Sequence, residues 1–261
     1  MATTKMIQSV ERAFSILELF QAKTEELSLK EIAQALELNK STAFGLVNTL
    51  SALGYLQQNE ENQKYTLGLR VLSLVNAMKF NNILIRASRP YLEALSQKYH
   101  ETVHSAVESA GSVVYLDKVE ADSSIYINTQ MGTKNYMHCT GVGKCLLAFK
   151  PEGELDEFLK RPLKALTFNT ITDPDAFRAE MALSRARGYA MDNEEIEIGL
   201  TCVAVPVFSA PGTATFAISL SGPTARMPGR IAAGLIPDMK ETAAELSRVL
   251  YAYVPARRTP G

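Results

Sequence analysis

Cysteine is scarce in this sequence, and its spacing indicates neither a disulfide framework nor a structural zinc site. The 261 residues include three cysteines, none of them in a Cys-x-x-Cys spacing: Cys139, Cys145 and Cys202. An odd number of thiols spread in this way is not typical of a disulfide-stapled fold or of a zinc knuckle. We therefore expect three reduced thiols.

Long apolar runs are also missing. No segment approaches the roughly 18 consecutive apolar residues that cross a bilayer as a helix. The first residues, MATTKMIQSVERAF, lack the uninterrupted apolar block of a secretory signal. We therefore expect a cytoplasmic protein with no membrane partner.

An excess of charge of either sign is absent as well. The net charge is −1, and residues 1–80 hold eight Lys or Arg against eight Asp or Glu. Bulk charge therefore gives no support for nucleic-acid binding, which has to be argued from local arrangement. What the chain does have is an ordinary globular composition, 46% hydrophobic and 21% charged, in a length that suits one large domain or two ordinary ones.

Three helical patterns occupy the first 54 residues. Apolar residues at steps of three and four predict a first helix over about 6–22, with a buried face made of Ile7, Val10, Phe14, Leu17 and Phe20. Ser28 and Glu31 have the spacing of a capping box, which predicts a short second helix with inward residues Ile32, Ala33 and Leu36. A third helix is predicted from about Lys40 to Leu53, with inward residues Leu46, Val47, Leu50 and Leu53.

Two extended runs, residues 55–58 and 64–67, flank a polar turn and predict a β-hairpin. Three short helices and a hairpin are the layout of a winged helix-turn-helix, although a small helical interaction domain remains an alternative. The start of the third helix favours DNA, because a cation and two hydroxyls lie where helix-start amides already attract phosphate. The predicted contacts are Lys40, Ser41, Thr42 and Asn48 on that helix and Lys64 on the hairpin.

A change of pattern follows the hairpin. Residues 69–80 predict a linker helix with one apolar stripe, made of Leu69, Leu72, Val75 and Met78. Because this helix is too short to bury the stripe within either domain, the stripe predicts an oligomer. Beyond it, helices and strands are mixed, which predicts an α+β domain. The expected helices cover 83–98, 142–149, 175–187 and 230–253, and the expected strands cover 102–107, 113–119, 124–129, 200–208 and 213–223.

Residues 100–104, His-Glu-Thr-Val-His, match a zinc-protease pattern that works only on a continuous helix. The helical spacing lapses at His100, and a strand-like alternation begins at Val103. We therefore expect the two histidines on different elements, with no metal bound and no cofactor.

Other motifs suggest enzymes but fit them poorly. The segment HCTGVGKC, residues 138–145, has His138 where a phosphate loop needs Gly, and Cys145 where it needs Ser or Thr. Gly141 and Gly143 suit either a close ligand approach at a helix start or a plain tight junction. Cys202 with His138 is a candidate nucleophile pair. The alternating pattern of the predicted strand, however, places Cys202 on a face of small residues, which favours a buried inert thiol. DNEEIEIG favours a solvated turn with one inward carboxylate over a metal site.

Several ordered segments resemble a known family. SVERAFSILELF, LSLKEIAQALELNKSTAFGLVNTLSALGYL and KYTLGLRVLSL are similar to the N-terminal winged helix of IclR-type bacterial transcriptional regulators. MHCTGVGKCLLA, RGYAMDNEEIEIGLTCVAVPVF and AISLSGP resemble the GAF-like effector-binding domain of the same family, so the likeness covers about residues 6–254. An enzyme with a helical appendage is the alternative.

The resemblance implies a ligand-responsive regulator, a repressor of a catabolic operon, that binds a palindromic operator as a dimer or tetramer. Its domains would be residues 1–68 for DNA binding, 69–82 as linker, 83–254 for the effector and 255–261 as a disordered tail. Where the family often has an aromatic residue followed by Arg, this chain has Phe44-Gly45, which makes Phe44 a further DNA-contact candidate and removes a guanidinium.

The resemblance also implies the effector site. Along TATFAISLSGP, the period of two places Ser219 and Ser221 on one face, where the pattern alone favours exposure to solvent. The resemblance instead implies that these hydroxyls reach a small organic acid, together with Gly141, Val142, Asp192 and Cys202.

Overall fold

The structure is a computed structural model that describes residues 6–21, 26–121, 127, 129–210 and 212–253. The chain divides into two compact units, residues 1–79 and 80–261. The tail predicted over 255–261 and most of the strand predicted over 124–129 lie outside the described residues. The three boundaries between the four predicted segments stay predictions.

The first unit contains three helices, a two-stranded sheet and a fourth helix. Its elements are α1 (Gln8–Glu18) with a 3-10 turn (Leu19–Gln21), α2 (Leu29–Ala35), α3 (Lys40–Ala52), β1 (Leu56–Gln58), β2 (Tyr65–Leu67) and α4 (Arg70–Ala77). β1 and β2 pair antiparallel, and Leu27 forms an isolated bridge with Tyr65. The core consists of Ile16, Ile32, Val47, Leu50, Leu56 and Tyr65. The predicted winged helix-turn-helix is confirmed.

The turn between α2 and α3 is fixed by local hydrogen bonds. The Glu31 amide donates to the Ser28 hydroxyl at 3.3 Å, and the Ser28 amide donates to the Glu31 carboxylate at 2.7 Å, so the predicted capping box is confirmed. The chain then turns at Glu37, whose φ is 53°. Asn39 caps α3 by accepting a 2.8 Å hydrogen bond from the Thr42 amide. These hydrogen bonds set where α3 begins.

Two of the predicted buried faces are wrong in part. Along the predicted first helix, Ile7, Val10 and Phe14 are at least half exposed, and Ile16 is the fully buried residue of α1. Leu53, expected inside, is also exposed, because α3 ends at Ala52. Periodicity identifies residues that share a face, but it does not say whether the chain has a surface that covers that face.

The second unit is built on one six-stranded sheet. Its elements are α5 (Lys79–Tyr99), β3 (Thr102–Ser109), β4 (Ser112–Val119), β5 (Lys134–Asn135), α6 (Gly141–Ala148), α7 (Glu152–Leu159), α8 (Pro174–Arg187), β6 (Ala190–Asn193), β7 (Leu200–Ala210), β8 (Thr213–Pro223), α9 (Met227–Ala232) and α10 (Leu235–Tyr253). The strand order is β5-β4-β3-β8-β7-β6, and every neighbouring pair is antiparallel. The predicted α+β class is confirmed.

The two faces of this sheet carry different side chains. Large residues such as Phe216, Ile218 and Leu220 pack against α5, α9 and α10. On the opposite face, small residues such as Ala204 and Ala217 allow α6 to lie close to the strands, and every residue of α6 is buried. The predicted alternation along β8 is confirmed, and it separates the two cores.

Other predictions for this unit have mixed outcomes. The long helix predicted over 230–253 is broken at Gly234, whose φ of 95° separates α9 from α10. The expected separation of His100 and His104 is confirmed, because α5 ends at Tyr99 and His104 lies on β3. Within the described residues, no group of three or more His, Cys, Asp or Glu could hold a metal ion, and no helix is long and apolar enough to cross a membrane.

Candidate functional site

The exposed side of α3 carries most of the predicted DNA contacts. Ala43, Val47 and Leu50 face the core, at the spacing of one helix side. The opposite side leaves Phe44 and Asn48 exposed, and the first turn adds the exposed Lys40 and Ser41, with Thr42 half-buried. Lys64 lies in the hairpin, immediately before β2, and is half-buried. The first unit therefore presents a helix start with a cation and hydroxyls on its surface.

Asn39 is a residue at this helix start that the sequence interpretation passed over. Its Oδ1 accepts from the Ser41 hydroxyl at 2.9 Å as well as from the Thr42 amide. Asn is a preferred N-cap residue, which was the available signal. Because the Ser41 hydroxyl already donates to Asn39, it can donate to a DNA phosphate only by leaving that partner.

Gly45, in the middle of α3, is not required by packing. A Cβ built there would meet no atom of the described residues within 4 Å. The backbone of α3 is regular through this position, and the Gly45 carbonyl accepts a 2.8 Å bond from the Thr49 hydroxyl. Gly45, which replaces the Arg often found here in the family that the sequence resembles, therefore leaves unoccupied space on the exposed face of α3.

A cavity of about 210 Å³ lies in the second unit, on the face of the sheet covered by α6. All six predicted effector residues line it: Gly141, Val142, Asp192, Cys202, Ser219 and Ser221. Ser219 and Ser221 are both 3% exposed, so the solvent exposure favoured by the strand pattern alone is wrong. The structure thus brings together residues from α6, β6, β7 and β8.

Strand register explains how these side chains meet. Asp192 pairs with Cys202, and Cys202 pairs with Ser221, which forms one row across β6, β7 and β8. In the next row, Ser219 on β8 pairs with His104 on β3. Cross-strand partners point to the same face of a sheet, so both rows face α6.

Two glycines allow the start of α6 to pack closely against β7 and against the residues just before the helix. A Cβ at Gly141 would lie 3.3 Å from the Cys202 Cβ, and a Cβ at Gly143 would lie 2.3 Å from the Met137 carbonyl oxygen. Thr140 caps the helix, because its hydroxyl accepts from the Gly143 amide at 3.1 Å. Helix-start amides and the helix dipole favour an anion, so the first turn of α6 can receive a carboxylate group.

Asp192 is the buried acid of the cavity. Its Oδ1 accepts from the Glu195 amide at 2.8 Å, whereas its Oδ2 has no hydrogen-bond partner among the described residues. Burial raises the pKa of Asp192 to about 7. The hydrogen bond from the Glu195 amide acts in the opposite direction, and the charge of the Glu195 carboxylate raises the pKa. Near neutral pH the side chain is therefore partly protonated and can donate as well as accept.

The cysteine and histidine of the nucleophile alternative do not form a reactive pair. Burial raises the pKa of the Cys202 thiol well above its usual value, and so does the neighbouring Asp192 carboxylate. His138 hydrogen-bonds through Nε2 to the Lys164 carbonyl at 2.8 Å and is not among the described lining residues. A thiol that stays protonated is a poor nucleophile.

A buried ion pair lies behind the cavity, and the sequence interpretation missed it. Lys144, in the middle of α6 and 1% exposed, pairs with Glu195, and Glu180 Oε1 lies 3.9 Å from its Nζ. Residues 192–199 were expected to be a solvated turn with one inward carboxylate, but both Asp192 and Glu195 are buried. A lysine inside an otherwise apolar helix was the signal, since a buried cation needs a partner.

His104 also lines the cavity, although it was assigned only to a strand. Its Nε2 lies 2.6 Å from the Thr129 hydroxyl oxygen, and its Nδ1 has no hydrogen-bond partner within the described part of the chain. Burial lowers the pKa of His104 to about 3, and the charge of Lys118 contributes in the same direction. The described lining residues include no Lys or Arg.

Comparison with known proteins identifies the family. The family model described as "Bacterial transcriptional regulator IclR C-terminal" matches residues 76–248, more than half of the chain, and the one described as "IclR helix-turn-helix domain" matches residues 9–60. The chain belongs to the IclR family of bacterial transcriptional regulators. The resemblance that the sequence motifs indicated is confirmed.

The similarity extends over nearly the whole chain. It is 33% identical to the HTH-type transcriptional regulator XynR of Escherichia coli K12, over 94% of this chain and 98% of that protein. It is 30% identical to the HTH-type transcriptional repressor AllR of Klebsiella pneumoniae, over 94% and 91% of the two chains. An IclR homologue from Microbacterium hydrocarbonoxydans, solved with 4-hydroxybenzoate, is 25% identical with a TM-score of 0.80 over 94% and 99%. The IclR-family relatives are DNA-binding regulators and not enzymes.

Proposed function

We propose that this IclR-family regulator is a repressor of a catabolic operon, which binds a palindromic operator through α3 and the hairpin and leaves it when a small organic acid binds. The observation that carries the proposal is that all six candidate effector residues line one buried cavity. The similar protein from Klebsiella pneumoniae is named a repressor, which supports the sign of regulation. Because the proposed target is DNA, we propose that the protein acts in the cytoplasm.

The cavity suits a small ligand. A volume of about 210 Å³ corresponds to roughly seven water molecules at about 30 Å³ each, which indicates a metabolite of about seven to ten non-hydrogen atoms. Helix-start amides at Gly141 and Val142 and the hydroxyls of Ser219 and Ser221 can donate to carboxylate oxygens. The structural relative solved with 4-hydroxybenzoate supports an organic acid of this size.

On the DNA side, Lys40, Ser41, Thr42, Phe44 and Asn48 would meet the major groove and its phosphates, with Lys64 on the hairpin nearby. Palindromic operators require two copies of a helix-turn-helix, so the active form would be a homo-oligomer, either a dimer or a tetramer. The exposed apolar stripe of α4 supports such an assembly.

The test is a titration of the purified protein against DNA upstream of its own gene and of neighbouring genes, with and without a panel of organic acids that includes 4-hydroxybenzoate. We expect salt-sensitive binding that an acid of the panel weakens. Ser219→Ala should raise the half-maximal acid concentration about tenfold or more, since a hydrogen bond to a charged group is removed, while operator affinity without acid stays within a few-fold.

Ser109→Ala is the matched control, because Ser109 is an exposed serine at the last position of β3 and is not among the described lining residues. It should leave both affinities unchanged. An acid response that is identical in Ser219→Ala and wild type would contradict the assignment of the cavity. DNA binding that no acid of the panel alters would contradict the organic-acid effector while leaving the DNA-binding role intact.

A further inference from the structure

We infer that His104 is a specificity-determining residue of the effector cavity, whose imidazole hydrogen-bonds a hydroxyl group of the effector remote from its carboxylate. This inference rests on the proposed function, since it takes the cavity to be the effector site. It adds a residue outside the six candidates and narrows the ligand class to hydroxy acids.

The His104 side chain is held in place, and one of its ring nitrogens has no hydrogen-bond partner among the described residues. The residue is 2% exposed, and its ring is tilted by 49° against Tyr115, with the ring centroids 5.2 Å apart. Nε2 is anchored at 2.6 Å to the Thr129 hydroxyl, and the buried Nδ1 meets no hydrogen-bond partner in the residues that the structure describes. The His104 side chain as a whole is part of the cavity lining. A buried polar atom without a hydrogen bond costs free energy, which a ligand group at Nδ1 would recover.

The charge state of His104 decides which ligand group it recognises. Burial and the nearby Lys118 cation keep the pKa of His104 at about 3, so the ring is neutral at physiological pH. A neutral ring is not a counter-ion for the effector carboxylate. Depending on the tautomer that Thr129 selects, Nδ1 either donates or accepts. A hydroxyl group can do both, so it satisfies Nδ1 in either tautomer.

His104 also lies at a distance from the carboxylate end. The start of α6 packs against β7, where a Cβ at Gly141 would meet Cys202 and Ala204, whereas His104 is on β3, two strands away across β8. Two steps between neighbouring strands amount to about 10 Å. Ser219 lies on β8 between these two positions and can still donate to a carboxylate at the start of α6. A hydroxyl group that reaches His104 is therefore on the far side of Ser219, several atoms from the carboxylate.

The lining between these two ends is partly apolar. Val142, Ile127, Ile196 and Leu200 contribute hydrocarbon surface to the same cavity. Such a wall suits the carbon skeleton that separates the two polar groups of the ligand. The observations together describe a short acid with a hydroxyl at its far end.

The test compares two acids that differ in a single group. Hexanoate and 5-hydroxypentanoate have the same number of non-hydrogen atoms, with a methyl group in one and a hydroxyl group in the other at the far end. Their binding to the full-length protein is measured by calorimetry at pH 7. We expect wild type to bind 5-hydroxypentanoate up to about tenfold more tightly than hexanoate.

His104→Leu should abolish this preference, and His104→Gln, which keeps a hydrogen-bonding group, should retain part of it. Thr129→Val, which removes the anchor of Nε2, should reduce the preference and serves as a second variant if His104→Leu does not fold. His100→Asn is the control, because His100 is exposed at the end of α5 and Asn tolerates its φ of 53°.

Two outcomes would overturn the inference alone: equal binding of the two acids by wild type, or an unchanged preference in His104→Leu and Thr129→Val. Binding of neither acid would overturn it as well. If the protein still responded to other acids in the operator titration, only the hydroxy-acid inference would fall; if it responded to none, the organic-acid part of the proposed function would fall with it.

Discussion

His104 on β3 and Ser219 on β8 are cross-strand partners, and both side chains line the cavity that the first turn of α6 also lines. They are 2% and 3% exposed, so the two polar groups are held away from bulk water. An imidazole nitrogen with no partner among the described residues and a hydroxyl at one cavity wall form a ready site for a ligand that brings its own hydrogen-bonding groups. The arrangement depends on the register of the sheet.

The start of α3 can be tested by its response to salt. Lys40→Ala should weaken operator binding for all DNA sequences. It should also make the negative slope of log affinity against log salt concentration shallower, by about 0.9 for each phosphate that the variant no longer neutralises. Binding is measured by fluorescence anisotropy over a salt series. Lys160→Ala, an exposed lysine in the second unit, should change neither quantity. If the Lys40 variant keeps wild-type affinity and slope, α3 does not meet phosphates in this way.

The apolar stripe of α4 predicts self-association. Leu69, Leu72, Val75 and Met78 are 47–78% exposed within a single chain. We expect sedimentation velocity at micromolar concentration to show a dimer or tetramer, and the double variant Leu69→Gln/Leu72→Gln to shift it toward monomer. Leu183→Gln on α8, a similarly exposed leucine, should leave the assembly intact. A wild-type monomer at these concentrations would reject the prediction.

Asp192 should make stability depend on pH. The folded-state pKa of about 7 exceeds the usual aspartate pKa of 3.8, so between these values the folded state holds a proton that the unfolded state has released. Stability should therefore fall as pH rises from about 4 to 7, by at most about 1.4 kcal/mol per pH unit from this group, and level off above 7.

Urea unfolding of wild type and Asp192→Asn across this range measures the effect. The variant carries no titrating group at this position, so its stability relative to wild type should increase with pH. Asp175→Asn, an exposed position on α8, is the control and should track wild type more closely. A pH-independent difference between wild type and Asp192→Asn would show that the buried carboxyl does not titrate in this window.

Gly45→Ala should stabilise the first unit. A Cβ at this position meets no described atom within 4 Å, and alanine in a helix interior is favoured over glycine by about 0.5–1 kcal/mol. Thermal unfolding without DNA should show a higher midpoint. Gly68→Ala is the contrasting variant, since its Cβ would lie 2.2 Å from the Gly54 carbonyl oxygen, and it should lower the midpoint. Equal midpoints for Gly45→Ala and wild type would contradict the open space that the structure assigns there.

Some parts of the fold follow from residues close together in the chain. The capping box of Ser28 and Glu31 fixed the start of α2, and the two extended runs around the polar turn at residues 59–62 predicted the hairpin β1–β2. The change from α5 to β3 at residues 100–104 was visible in the lapse of helical spacing. Hydrogen bonds over three or four residues and side-chain periodicity need no information from the rest of the molecule.

By itself, the sequence determined most of the element order, the start of α3 and the alternation along β8 that puts Ser219 and Ser221 on one face, but it missed β5, α7 and β6. Only the tertiary structure decided that this face is covered by α6 and not by water, that Lys144 is buried against Glu195, and that His104 joins the cavity. The reason is physical: burial and cross-strand pairing join residues distant along the chain, and a register shift of one residue would turn the same side chains to the opposite face.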